Sequence, residues 1–409
     1  MLLYIYCEMA LNIIKNEISH SANIYKPLQV LITSGKGIYV LDYNNNKYID
    51  FLSGYSAANL GHSHPKIIQS AKLQLDKITI LSRSFYNDKT AEWTKFICNY
   101  FNYDKVIAMN TGAEAVETAI KIARRWGYKY KGDSKIIAFN NNFHGRTIGV
   151  LSASSNNSYK QGFGPFCDNF LLAPYNDVKS VELLLENRKD ICAILIEPIQ
   201  GEGGVIIPDD TYLYDLYNLC KKYNVLFIAD EIQSGLGRTG SLLCCDIFNI
   251  KPDILILGKS LGGGIVPISA VLTSNDIMNV LDYGAHGSTF GGNPFACAIS
   301  IDVLNIINDE KIVENSFVMG NIFRNGISNI DIIKKVRGKG LFNAIEFDEK
   351  ILNKKNITTF DICNKLMENG LLAKNTNHNS VIRFTPPLII KESEMLDGLN
   401  IINKTIQLL

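Results

Sequence analysis

The stretch 225–264, VLFIADEIQSGLGRTGSLLCCDIFNIKPDILILGKSLGGG, holds two short apolar runs, each ending in a polar or glycine-rich turn. VLFIA stops at Asp230, and ILIL (254–257) stops at Gly258 and Lys259. Unbroken apolar runs of this length read as strands buried on both faces, the habit of a parallel sheet. The same pattern extends outward. VIAMN (106–110) precedes the helical stretch TGAEAVETAIKIARRW, and KIIAF (135–139) and CAILIEP (192–198) each end in a turn. Strands alternating with helices predict an α/β fold whose mainly parallel sheet is covered on both faces, with ligands at the carboxyl ends of its strands. Residues 111–114, 197–204, 230–233 and 258–264 are therefore expected along one crevice.

Both ends of the chain read differently. IYVLDYNNNKYIDF (38–51) resembles a hairpin with its turn in the asparagine run. Beyond about residue 300 come helices, a glycine-containing turn (VRGKGLFNAIEF, 336–347) and a short strand, VIRFT (381–385). The expected division is an N-terminal segment (1–50) and a C-terminal segment (301–409) forming a smaller α+β domain against a large domain (51–300).

Of 409 residues, 46% are hydrophobic and 20% charged, with a formal net charge of +1 and no block of either sign. Such a composition gives no footing for nucleic-acid binding. The nine cysteines are odd in number, lack C-x-x-C spacing and several lie in apolar runs, as Cys192 does in ICAILIEP. They read as reduced core residues, so a cytoplasmic protein is expected, ahead of a mitochondrial one. The opening MLLYIYCEMALNII is apolar but too short to span a bilayer, and it lacks the basic and serine-rich character of a transit peptide.

Lys259 is either a solvated turn lysine or an amine reaching into the crevice, where desolvation lowers its proton affinity and frees it to attack a carbonyl. GKS does not make a phosphate-binding P-loop, because the required glycine at 253 is Asp253. GEGG (201–204) is followed by Val205 and Ile206, so the dinucleotide fingerprint fails as well. Asp230 either caps a following helix or pairs with a protonated ring nitrogen. NTGAEA (110–115) opens a helix with small residues, a place where phosphate meets bare amides, Thr111 being the natural cap. Phe143, in NNFHGRT, offers a flat face for a ring. Arg146 and Arg383 are candidate carboxylate readers, since a guanidinium matches a carboxylate in bidentate fashion; an internal salt bridge is the alternative for each. His62 and His64 sit in a Gly/Pro loop without further ligands, so no metal site is expected.

Taken in order, NTGAEA, NFHGRT, EPIQGEGG, ADEIQSGLGRTG, LGKSLGGG, HGSTFGGNP, VRGKGL and VIRFTPPL resemble the class-III branch of the pyridoxal-phosphate (PLP) aminotransferases. The match runs from about Tyr25 to the C-terminus. The resemblance implies the fold-type I architecture of PLP-dependent transferases and a homodimer with shared active sites. By motif, Lys259 carries PLP, Asp230 meets the pyridine nitrogen, Gln233 the ring hydroxyl, and Gly112 and Ala113 the phosphate. Phe143 stacks on the ring, and Thr289 reaches the phosphate of the neighbouring subunit. The resemblance also implies a switch in which Glu202 masks Arg383 until the keto acid arrives, while Arg146 takes the carboxylate of the amino donor.

Within the branch, SANIYKPLQV and FLSGYSAANLGHSHP place Tyr25 and Tyr55 as in members that use ornithine with 2-oxoglutarate. NFHGRT, QGEGG and LGGG also resemble the members that use N-acetylornithine, which leaves that substrate as the rival. A non-catalytic scaffold of the same fold is the alternative outside catalysis, and the retention of Lys259, Asp230 and Arg383 speaks against it.

Overall fold

Side chains alternate along a strand, so a strand buried on both faces must feed two cores. Leu226–Asp230 does so: Ile228 packs with helix Gly112–Lys131 on one face, and Phe227 and Ala229 with helix Tyr212–Lys222 on the other. Ile254–Leu257 repeats the pattern, with Ile254 and Ile256 on the first face and Leu255 and Leu257 on the opposite one. Each such Ile, Leu or Phe contributes roughly 1.5–3 kcal/mol of burial. The computed structural model describes residues 2–376 and 380–409, with side chains from residue 9 onward.

The central sheet has seven strands in the order Lys105–Met109, Ser269–Thr273, Ile254–Leu257, Leu226–Asp230, Ile191–Ile196, Lys135–Phe139, Phe170–Ala173. Ser269–Thr273 runs antiparallel to both neighbours, and the remaining pairings are parallel. This is the expected α/β sheet, with two strands that the sequence does not announce. Phe170–Ala173 and Ser269–Thr273 are four and five residues long and follow Gly/Pro-containing segments, so they carry too little pattern to stand out.

Helix Gly112–Lys131 buries Ala115, Ala119, Ile122, Ala123 and Trp126, spaced by three and four residues. Its start is set by a capping box. The Thr111 hydroxyl accepts the Glu114 amide at 3.2 Å, and the Glu114 carboxylate accepts the amides of Asn110 and Thr111 at 2.8 Å each. Gly132, at φ 74°, ends the helix in the left-handed conformation.

Two four-stranded sheets lie outside the central one. Tyr39–Asp42 and Lys47–Asp50 form the hairpin read in the sequence, and Asp42 holds its turn by accepting the amides of Asn44 and Asn46. Leu371–Leu372 adds to Lys47–Asp50 in parallel, tying the two ends of the chain together. The second sheet pairs Ile333–Lys339 with Phe342–Phe347, then Val381–Phe384, then Lys374–Asn375. Among the described residues, eight cysteines are unpaired, seven of them buried and Cys167 exposed; the Cys7 side chain lies outside the described residues. Among the described residues, no helix is long and apolar enough to cross a membrane.

Candidate active site

Lys259 leaves the end of Ile254–Leu257 at φ 46° and opens a single 3-10 turn, Lys259–Gly262. A lysine held in the left-handed region is strained, and such strain clusters where a side chain must be aimed. Lys259 lines a cavity of about 1090 Å³, together with Tyr25, Tyr55, Phe143, Arg146 and Glu202. Burial pushes its ammonium below the usual lysine range, and the Arg383 charge pushes the same way against the pull of Glu202 and Asp230.

Asp230 is buried at the end of its strand, and its Oδ2 lies 2.7 Å from His144 Nδ1, itself buried. The helix-cap alternative for Asp230 falls, because the segment after it is a series of turns rather than a helix. Burial disfavours the His144 imidazolium, but the hydrogen bond and charge of Asp230 outweigh it and hold the imidazole above its ordinary value. Glu197 closes this buried group. Its two oxygens accept the amides of Phe143 (2.9 Å) and Gly201 (3.1 Å), and burial pushes its carboxyl up to about 7. Glu197 belongs to the expected crevice, yet the sequence suggests no task for it. Its signal is the one that marked Asp230, a carboxylate ending an apolar strand. His144 lies within NFHGRT and carries no signal of its own.

Arg383, on Val381–Phe384, is 2% exposed. Its Nη1 donates to Glu202 Oε1 at 2.8 Å and to Gln233 Oε1 at 2.9 Å, and its guanidinium lies over the Tyr55 ring, 5.0 Å from the centroid. Burial alone would raise the Glu202 carboxyl, but the Arg383 charge and hydrogen bond hold it below the ordinary carboxylate value. Glu202, Gln233, Arg383 and Tyr55 thus meet beside Lys259.

Arg146 is exposed and stacks over the Tyr159 ring at 4.0 Å, while Tyr159 meets Phe143 edge to face. Tyr25 is 85% exposed at the mouth. The capping box leaves the amides of Gly112 and Ala113 in the first turn for other acceptors, and Gly112 packs so closely on Ile232 that an added Cβ would lie 3.0 Å from its Cδ1. Thr289 is exposed and does not line the cavity with Lys259; its neighbour Ser288 accepts a hydrogen bond from Asn110 Nδ2 at 3.0 Å.

The family model for class-III aminotransferases matches residues 20–406. The chain belongs to the class-III aminotransferases. It is 46% identical to an ornithine aminotransferase of Plasmodium falciparum over 400 residues, covering 96% of this chain and 95% of that protein. It superposes on the structure of the ornithine aminotransferase from Toxoplasma gondii with a TM-score of 0.94 and 41% identity, covering 100% of this chain and 97% of that one. That structure is described with partial occupancy of PLP at its active site. An acetylornithine aminotransferase from Elizabethkingia anophelis superposes with a TM-score of 0.88 at 44% identity, covering 98% and 99% of the two chains.

PLP is the cofactor of class-III aminotransferases. The donor set fits it: a buried carboxylate suits a protonated ring nitrogen, a desolvated lysine an aldehyde, and a helix start with free amides a phosphate.

Proposed function

We propose that this protein moves the δ-amino group of L-ornithine to 2-oxoglutarate, giving glutamate-5-semialdehyde and glutamate in two half-reactions. The observation that carries this reading is the Glu202–Arg383 pair at 2.8 Å, its arginine buried and its glutamate part-buried at the cavity wall, lying against Tyr55 and beside Lys259. An enzyme that accepts a terminal amine first and an α-keto diacid second needs a carboxylate reader that is hidden in one half and shown in the other. A guanidinium covered by a displaceable carboxylate is such a reader.

When bound, PLP supplies the electron sink for the carbanion left by proton removal and carries the amino group between the half-reactions. Lys259 would hold it covalently and, as a free amine, would move the substrate proton, first as base and then as acid. Its lowered proton affinity keeps a larger share of free amine near neutral pH. Asp230 would meet the ring nitrogen, with His144 hydrogen-bonded behind it to orient it. The amides of Gly112 and Ala113 would hold the phosphate, Phe143 would wall the ring, and Gln233 would serve the ring hydroxyl. Arg146 takes the α-carboxylate of ornithine, with the Tyr25 and Tyr55 phenols as hydrogen-bond partners. Glu202 keeps Arg383 occupied until the diacid enters, then releases it to bind the α-carboxylate.

The site is completed by a second copy of the chain. Thr289 is exposed, and Tyr86, Tyr283, Phe85 and Phe290 present large aromatic surfaces to solvent, as suits a homodimer contact. We assign residues 51–300 to a large domain and the two ends, 1–50 and 301–409, to a smaller one. The smaller sheets lie within the ends and the central sheet within 105–273. Seven buried, unpaired cysteines suit a reducing compartment, and we assign the cytoplasm.

The test is a paired assay of ornithine and N-acetylornithine with 2-oxoglutarate. The expected result is a kcat/KM for ornithine at least about tenfold higher, the scale of one well-placed polar contact. Equal or better use of the acetylated substrate sinks the assignment.

A further inference from the structure

Arg238 lies in the loop after Asp230 and is fully buried, yet its hydrogen bonds go to uncharged groups. Nη1 donates to the carbonyls of Leu341 (3.0 Å) and Pro386 (2.7 Å), and Nη2 to Asn59 Oδ1 (2.5 Å) and Ser53 Oγ (3.3 Å). Among the described residues, its Nε has no partner. A buried cation without a hydrogen-bonded carboxylate is costly, so its place needs an explanation beyond stability.

The acceptors supply one. Ser53 and Asn59 flank Tyr55, and Pro386 follows Arg383 by three residues. The turn that carries Tyr55 is itself strained. Ser53, Gly54, Tyr55 and Ser56 all have positive φ, at 45°, 58°, 58° and 70°. L-residues visit the left-handed region singly, so a run of this kind persists only where the surroundings over-determine it. Asp50 Oδ1 accepts the amides of Leu52 and Ser53 at 2.8 Å each. Ser53 Oγ donates to the Thr385 carbonyl at 2.6 Å, the Thr385 amide donates to the Phe51 carbonyl at 2.7 Å, and the Leu388 amide to the Asn59 carbonyl at 2.7 Å. The segment 51–59 is thereby laced to 385–388, and Arg238 is the side chain that grips both.

We propose that Arg238 is a positioning residue that fixes the Tyr55 phenol relative to the Arg383 guanidinium. It does not line the cavity and acts through the two segments it joins. The cationic fork suits the task because one planar group reaches four acceptors on three segments, which a lysine cannot do. Burial pushes its proton affinity down to about 9, which leaves it charged at neutral pH. The functional consequence rests on the reading that Tyr55 and Arg383 meet substrate.

The test uses the holoenzyme and four forms: wild type, Arg238→Lys, Tyr55→Phe and the double variant. Arg238→Lys is expected to raise the KM for ornithine about tenfold while changing kcat less than about threefold. In the Tyr55→Phe background the same change is expected to add less than about twofold, because the two residues act on one geometry. Full additivity, or an unchanged KM in Arg238→Lys, overturns the proposal. No effect of Tyr55→Phe alone instead overturns the pocket reading, and hydrogen exchange then decides the proposal by itself. In Arg238→Lys the amides of Ala57, Ala58 and Thr385 should exchange at least about tenfold faster, with helix Gly112–Lys131 unchanged, since local opening is read amide by amide. A uniform rise, or none, counts against it. If Arg238→Lys does not fold, Asn59→Ala removes one acceptor and should give the same pattern with smaller changes.

Discussion

The buried group behind Lys259, the floor of the site although it does not line the cavity, and the cavity's mouth are built on opposite principles. At the floor, Asp230, His144 and Glu197 sit on or against the ends of buried strands, with nearly every polar atom engaged and little exposure. At the mouth, Tyr25 and Arg146 are exposed, and Arg146 rests on the face of Tyr159 rather than against a carboxylate. A floor of this kind holds charge at fixed positions in a low-dielectric setting, as proton transfer requires. A loose mouth exchanges substrates. The Glu202–Arg383–Tyr55 group lies between the two: Arg383 is buried like the floor, Glu202 is part-buried, and Tyr55 is 39% exposed.

The contrast is open to attack in several places. Lys259→Ala should abolish the visible absorbance of the bound cofactor and lower turnover by more than about 10⁴-fold for every substrate, as loss of a covalent nucleophile and proton carrier does. Retained turnover would break the contrast outright. Glu202→Ala, at the border, should change choice more than chemistry. With Arg383 uncovered, kcat/KM for glutamate relative to ornithine should rise at least about tenfold, and loss of one partner of a buried pair should cost about 3–5 kcal/mol of stability. A stability loss with an unchanged substrate ratio would leave the pair as scaffolding only.

The floor should also show in pH dependence. The Glu197 carboxyl stands at about 7 in the folded protein against an ordinary 4.5. The folded state therefore keeps a proton that the unfolded chain has lost, and stability falls as pH rises from 4.5 to 7. Glu197→Gln should remove that slope, a change of about 3 kcal/mol across the window, measured by denaturant titration of the apoprotein. A parallel slope in the variant would place the titration elsewhere. The smallest effect belongs to the helix that frames the phosphate end. Thr111→Ala should cost about 1 kcal/mol by loss of the cap and weaken cofactor affinity without changing the ornithine preference.

Much of the floor was legible because strands buried on both faces leave unbroken apolar runs, and a charged residue at the end of one stands out. Asp230 and Lys259 were found that way. Glu197 carries the same mark, but its task depends on the amides of Phe143 and Gly201, one of which is 54 residues away. Tyr25 and Tyr55 were legible only through resemblance, since they lie in irregular segments where no periodicity distinguishes a pocket residue from a surface one. Arg238 falls within the motif ADEIQSGLGRTG but carries no sign of its role there, because four acceptors drawn from Ser53, Asn59, Leu341 and Pro386 leave no trace in local sequence.

The sequence by itself determined the alternation of strand and helix, the ends of the strands where chemistry collects, and the family. These depend on local hydrophobic periodicity and on ordered motifs, both of which are properties of the chain read in one dimension. Only the tertiary structure decided that His144 stands behind Asp230, that Glu197 accepts the amide of Phe143, and that a left-handed turn carries Tyr55 to Arg383. Those facts are relations between residues dozens to hundreds of positions apart, and they exist only once folding has brought desolvated charges within hydrogen-bond reach.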